Sequence, residues 1–96
     1  MPRYVVLYRF TEQGAKNAKG TVERARQARA ENERRGFKTQ ALFWTQGPYD
    51  LVAVVEAPSE EAMMGAMINI VGAGNVTSTT MRAFDENEME RIVKQA

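Results

Sequence analysis

Hydrophobic positions along the chain fall into four strand-sized blocks, with helix-patterned segments between them. Tyr4-Val5-Val6-Leu7-Tyr8-Arg9-Phe10 is β-branched and aromatic, and Thr11-Glu12-Gln13-Gly14 breaks the run. From about Thr21 to Arg35 the pattern predicts a helix, with Thr21 as N-cap, Glu23 in the first turn, Arg34 and Arg35 in the last, and Gly36 just beyond. Its apolar positions Val22, Ala25 and Ala28 are small, so it can lie close to a sheet but contributes little burial. Phe37 to Gln46 and Asp50 to Ala57 read as strands two and three, and the tight connection Gly47-Pro48-Tyr49 makes them an antiparallel hairpin. Pro58 stops the third strand. Ser59 caps a second helix with Glu60 and Glu61 in its first turn, apolar nearly all round through Met63, Met64, Met67, Ile68, Ile70 and Val71. Gly72-Ala73-Gly74-Asn75 ends that helix, and Val76 to Phe84 is a threonine-rich fourth strand. Asp85 then caps a short C-terminal helix, where Glu88 completes a capping-box pattern and Met89, Ile92 and Val93 form an apolar stripe.

The order β-α-β-β-α-β-α predicts an α+β fold, the ferredoxin-like βαββαβ arrangement with a C-terminal helix, in which a four-stranded antiparallel sheet carries two main helices on one face. A sheet buried on one side alternates apolar and polar residues, yet strand one is apolar at both parities (Val5 and Leu7; Tyr4, Val6, Tyr8 and Phe10), as is strand three (Leu51, Ala53 and Val55; Val52 and Val54). Two helices cover one face only. The second face therefore calls for another cover, and the expectation is a homodimer, or a higher even oligomer, built sheet on sheet. A C-terminal helix folding back is the competing cover, with a stripe too short to mask four strands. Which parity faces the helices stays open.

At 96 residues the chain is a single domain, 1–96. It contains neither cysteine nor histidine, which removes disulfides, thiol nucleophiles, imidazole bases and Cys/His metal sites, and no cofactor or metal is expected. The N-terminus lacks a secretion signal and the apolar runs are strand-sized, so the expected location is cytoplasmic with no membrane contact. The net charge of +1 hides an asymmetry: residues 1–38 carry ten Lys/Arg against four Asp/Glu, and residues 39–96 carry three against eight. Such poles can attract within a monomer or across a self-association interface, or serve solubility alone.

The segment Trp44-Thr45-Gln46-Gly47-Pro48-Tyr49-Asp50 is the expected functional spot. Gly47 can take a positive φ, Pro48 fixes the next, and Tyr49 and Asp50 stand at a strand mouth as donor and acceptor for a small organic ligand. The bland alternative has Asp50 bonding turn amides and Tyr49 packing on a partner subunit. Arg9 and Arg82 could hold a ligand carboxylate, although a structural ion pair with Glu56 or Asp50 is the favoured use. The hydroxyls of Thr77, Ser78, Thr79 and Thr80 suit an edge strand better than a wet cavity. Met63, Met64 and Met67 with Trp44 suit core filling better than an adaptable pocket. The arginines of the first helix are interleaved with Glu23, Glu31 and Glu33 and have no aromatic platform, so no nucleic-acid partner is expected.

Gly47-Pro48-Tyr49-Asp50 also resembles the glycine-tyrosine-aspartate signature of the GYD-domain family. The resemblance extends to Tyr4-Val5-Val6-Leu7, Phe10-Thr11-Glu12-Gln13-Gly14, Glu23-Arg24, Phe43-Trp44-Thr45-Gln46, Val54-Val55-Glu56-Ala57-Pro58, Gly74-Asn75-Val76 and Thr79-Thr80-Met81-Arg82-Ala83-Phe84. Ser59 stands where the family more often has aspartate, and serine still caps a helix. This resemblance implies a dimeric α+β barrel and no established reaction. The hairpin and strand four are also similar to the ligand-binding domain of leucine-responsive and asparagine regulators, where a comparable turn lies near an amino-acid site between subunits. The expected function is accordingly a ligand-binding module for an amino-acid-sized molecule near Gly47, Tyr49, Asp50, Trp44, Arg9 and Arg82. Two alternatives stand beside it. One is a cofactor-independent oxygenase-like enzyme resting on Tyr49, Asp50, Arg82 or Glu56, which without histidine needs a carboxylate of raised pKa in a dry pocket. The other is a purely structural or interaction subunit.

Overall fold

A computed structural model describes all 96 residues. Strand β1 (Arg3–Phe10) is followed by a short helix α1 (Glu12–Lys16), a 3-10 turn (Ala18–Gly20) and helix α2 (Thr21–Arg34). Then come β2 (Lys38–Trp44), β3 (Leu51–Glu56), α3 (Glu60–Gly72), β4 (Val76–Ala83) and α4 (Glu86–Gln95). The four strands form one antiparallel sheet in the order β2-β3-β1-β4, which is the ferredoxin-like topology. No helix is long and apolar enough to cross a membrane.

Local chemistry explains most boundaries. The Ser59 hydroxyl accepts from the Ala62 amide, and Asp85 and Glu88 form the complete capping box that starts α4. Helix α2 differs from expectation, because Gly20 occupies its N-cap position and Thr21 is its first residue. The hydroxyl of Thr21 instead accepts from the Trp44 indole N–H at 3.1 Å. The Thr11 hydroxyl supplies a cap one helix earlier, accepting from the Gly14 amide, which makes α1 out of a segment that reads as a break.

The register assigns the two faces. Tyr4, Val6 and Tyr8 lie opposite Val55, Ala53 and Leu51 on the helix side, where Tyr4, Val6, Ala53, Phe37, Ala57, Met63 and Ala66 form the buried core and Tyr8 and Val55 pack against it partly buried. The alternate parity brings Val5, Leu7, Val52, Val54, Ala41, Phe43 and Met81 to the opposite face, which the two main helices leave uncovered. Phe43 there is 64% exposed. Helix α4 does not mask this face with its stripe, since Met89, Ile92 and Val93 all remain exposed. It extends a molecule measuring 48 × 30 × 18 Å.

Candidate functional site

Three chain segments meet at the end of the sheet where β1 finishes: the β1–α1 turn, the β2–β3 loop and the α3–β4 loop. Thr11 and Asn75 join the first to the third, the Thr11 amide donating to the Asn75 carbonyl at 3.0 Å and the Thr11 hydroxyl donating to the Gly74 carbonyl. The Gln13 side-chain amide reaches the Asn75 side chain at 3.1 Å and the Ala73 carbonyl at 3.2 Å. Gly14 passes so close that a Cβ there would stand 1.9 Å from the Asn75 carbonyl oxygen, so backbone proximity requires glycine at this point.

Asp50 joins the second segment to the first. Its carboxylate accepts from the Phe10 amide at 2.8 Å, its own amide donates to the Tyr8 carbonyl at 2.8 Å, and its carbonyl accepts from the Thr45 amide at 2.9 Å. The Thr45 hydroxyl donates to the Tyr49 carbonyl across the same loop. The partner of the Asp50 carboxylate is thus an amide 40 residues away and not the turn itself. Gly47, at φ +123° with open space around its Cα, sits at the exposed tip.

Of the residues expected to form a site, Gly47, Tyr49, Asp50 and Arg9 come together here. The Arg9 guanidinium lies over the Tyr49 ring, 4.8 Å from its centroid. Trp44 borders the same end, tied to Thr21. Arg82 does not join them. It pairs with Tyr4, six residues back along β1 from Phe10, or about 20 Å away at the rise of an extended strand. There its guanidinium stacks on Phe84 at 4.5 Å and donates to the Arg3 and Ala83 carbonyls. The favoured ion pairs of Arg9 and Arg82 with Glu56 or Asp50 are absent, because both cations lie over rings while Glu56 pairs with Arg3.

Arg3, which no pattern in the sequence marks, is the main electrostatic junction. It reaches Glu88 (2.9 Å), Glu56 (3.4 Å), Asp85 (3.6 Å) and the Gln40 side-chain oxygen (3.1 Å). A β-bulge between Thr39 and Ala41 leaves Gln40 outside the ladder, free to bond both Arg3 and Glu56. The only sequence signal is a lone cation at a strand start.

The enzymatic alternative requires convergence and a carboxylate of raised pKa. Tyr49 and Asp50 lie at one end of the sheet, and Arg82 and Glu56 at the other. The two carboxylates with displaced pKa are both lowered: Glu31 chiefly by its hydrogen bond and charge interaction with Arg34, and Asp85 chiefly by the Glu88 amide.

The family model of the GYD domain matches residues 4–93. A protein of Thermus thermophilus named glutamine synthetase and cystathionine beta-lyase binding protein is 34% identical over 85 residues, covering 88% of this chain and 90% of that protein. Among solved structures, the crystal structure of MtbAldR superposes with a TM-score of 0.68 at 13% identity, over 88% of this chain and 52% of that one. The latter likeness shows the ferredoxin-like α+β fold. This chain spans about half of MtbAldR.

Proposed function

Because the chain belongs to the GYD domain family, we propose that it is a small cytoplasmic interaction module, which pairs with a second copy through the helix-free face of its sheet and docks as that pair on an enzyme. The observation that carries self-association is the apolar band Val5, Leu7, Val52, Val54, Phe43 and Met81 on that face. Phe43 and Met81 are exposed and the other four partly so; leaving such a contiguous apolar face in water is unfavourable, and a two-fold pairing removes it with one self-complementary patch. The exposed stripe of Met89, Ile92 and Val93 on α4 supplies further apolar surface for the second copy. The enzyme partner rests on the Thermus relative, and glutamine synthetase and cystathionine β-lyase are the first candidates.

Native mass spectrometry of the wild type and of Phe43→Glu combined with Leu7→Lys tests the pairing. An even oligomer that the double variant converts to folded monomer is expected, and a wild-type monomer overturns it. Mixing the wild type with each purified enzyme from the same source tests the docking. A complex of higher mass with one of them is expected, and failure to bind either overturns that half.

A second reading, an amino-acid-sized ligand at Gly47–Asp50, is favoured by the open Gly47 tip and the Arg9–Tyr49 stack beside it. It predicts a small retained mass that Tyr49→Phe removes without changing assembly. A wild type carrying no such mass, or a mass that Tyr49→Phe leaves in place, counts against it.

A further inference from the structure

On the opposite side of the sheet from the proposed pairing face, α2 and α3 do not close over the strands. A cleft of about 480 Å³ runs between them, within the range of small-molecule sites. Its floor is apolar, made by Tyr8, Leu42, Leu51, Ala53 and Val55, and Ile70 of α3 forms one wall. The opening follows from the sequence of α2. That helix buries no residue, and the side chains it presents to the cleft at Ala25 and Ala28 are too small to fill it.

The mouth is cationic. Arg24, Arg29 and Arg35 line it against a single carboxylate, Glu31, which is already engaged by Arg34 and Arg35. Arg24 gives one nitrogen to the Asn17 carbonyl at 2.7 Å, and Arg29 has no carboxylate within reach. On the floor, the Tyr8 phenol offers a neutral hydrogen-bond donor, and burial pushes its pKa up to about 12.

We propose that this cleft is a binding site for an apolar monocarboxylate, such as a medium-chain or arylalkyl acid, with its hydrocarbon body on the β1–β3 floor and its carboxylate at Arg29. Shape and charge select this class together. A hydrophobic slot favours the body, and guanidinium groups without acidic partners favour the anionic head. The site is independent of the interaction reading, because it lies on the other side of the sheet and within one subunit.

Decanoate and decan-1-ol, equal in chain length and different in charge, are the probes. Titration followed by Trp44 fluorescence is expected to show one decanoate per chain and about tenfold weaker binding of the alcohol, the scale of one charge-assisted contact. Trp44 is the only tryptophan and bonds Thr21 at the cleft edge. Arg29→Gln is expected to narrow the gap between the two probes, and Ala28→Phe to abolish binding of both. Amide and methyl NMR shifts on the wild type need no variant: decanoate is expected to move Ala25, Ala28 and Leu42. No binding of either probe at millimolar concentration overturns the proposal. So does a shift pattern centred on Leu7, Val54 and Phe43, or equal affinity for acid and alcohol.

Discussion

One carboxylate oxygen of Glu88 serves two masters in the fold: it accepts from the Asp85 amide at 3.0 Å, closing the capping box of α4, and from Arg3 at 2.9 Å, tying that helix to the first residue of β1. The first turn of α4 is thereby anchored to the sheet, while its apolar stripe stays exposed. The same guanidinium also holds Glu56, so the partly buried cluster couples the ends of β1 and β3 to the C-terminal helix.

Arg3→Ala leaves Glu56, Asp85 and Glu88 without their shared cation. The expected outcome is that α4 amides exchange with solvent about tenfold faster, equivalent to ~1.4 kcal/mol of local stability, while the sheet core is unaffected. Hydrogen-exchange mass spectrometry measures this. Arg3→Lys should restore only part, since a single ammonium cannot reach three carboxylates in different directions.

Gly14→Ala places a methyl group 1.9 Å from the Asn75 carbonyl oxygen, which belongs to the backbone and cannot rotate away. A loss of about 3 kcal/mol or more is expected from forcing the β1–α1 turn off the α3–β4 loop. Urea unfolding checks it, with Gly65→Ala as the control, because a Cβ at Gly65 meets nothing within 4 Å.

Asp50→Ala removes the acceptor of the Phe10 amide. The expected cost is about 1 to 3 kcal/mol, read as a lower midpoint in thermal unfolding. A variant of unchanged stability would show that water satisfies that amide equally well.

Two groups make stability depend on pH in opposite directions. Tyr8 has its folded pKa raised to about 12 by burial, so its contribution is complete below the ordinary tyrosine value of about 10 and fades as pH rises between the two. Unfolding midpoints should fall across that window in the wild type and fall less in Tyr8→Phe, with absorbance at 295 nm reporting the late ionisation. Asp85 has its folded pKa lowered, so its cap on α4 is fully present above the ordinary aspartate value and is lost as pH falls through the folded one. Far-ultraviolet circular dichroism below about pH 4 should show α4 fraying first, an effect absent in Asp85→Asn.

The four strands and three main helices and their order were legible in the chain because their signals are local, whereas α1 reads in the sequence as a break. Ser59 and Asp85 cap helices through amides three residues on, glycine and proline mark the connections, and double-parity apolar strands announce a sheet with two faces to cover. Sequence also brought together Gly47, Tyr49, Asp50 and Arg9, which are near neighbours across one strand pair. What only the tertiary structure decided depends on registers and packing between distant segments. Register assigned Tyr4, Val6 and Tyr8 to the helix side, placed Arg82 at the far end of β1 from Asp50, and made the Phe10 amide the partner of Asp50. The junction at Arg3 draws on residues up to 85 positions apart, and the cleft exists because the small side chains of α2 face strands that they cannot fill. Side chains short in sequence distance reveal themselves by spacing, whereas a void or a convergent ion cluster is a property of surfaces that meet only after folding.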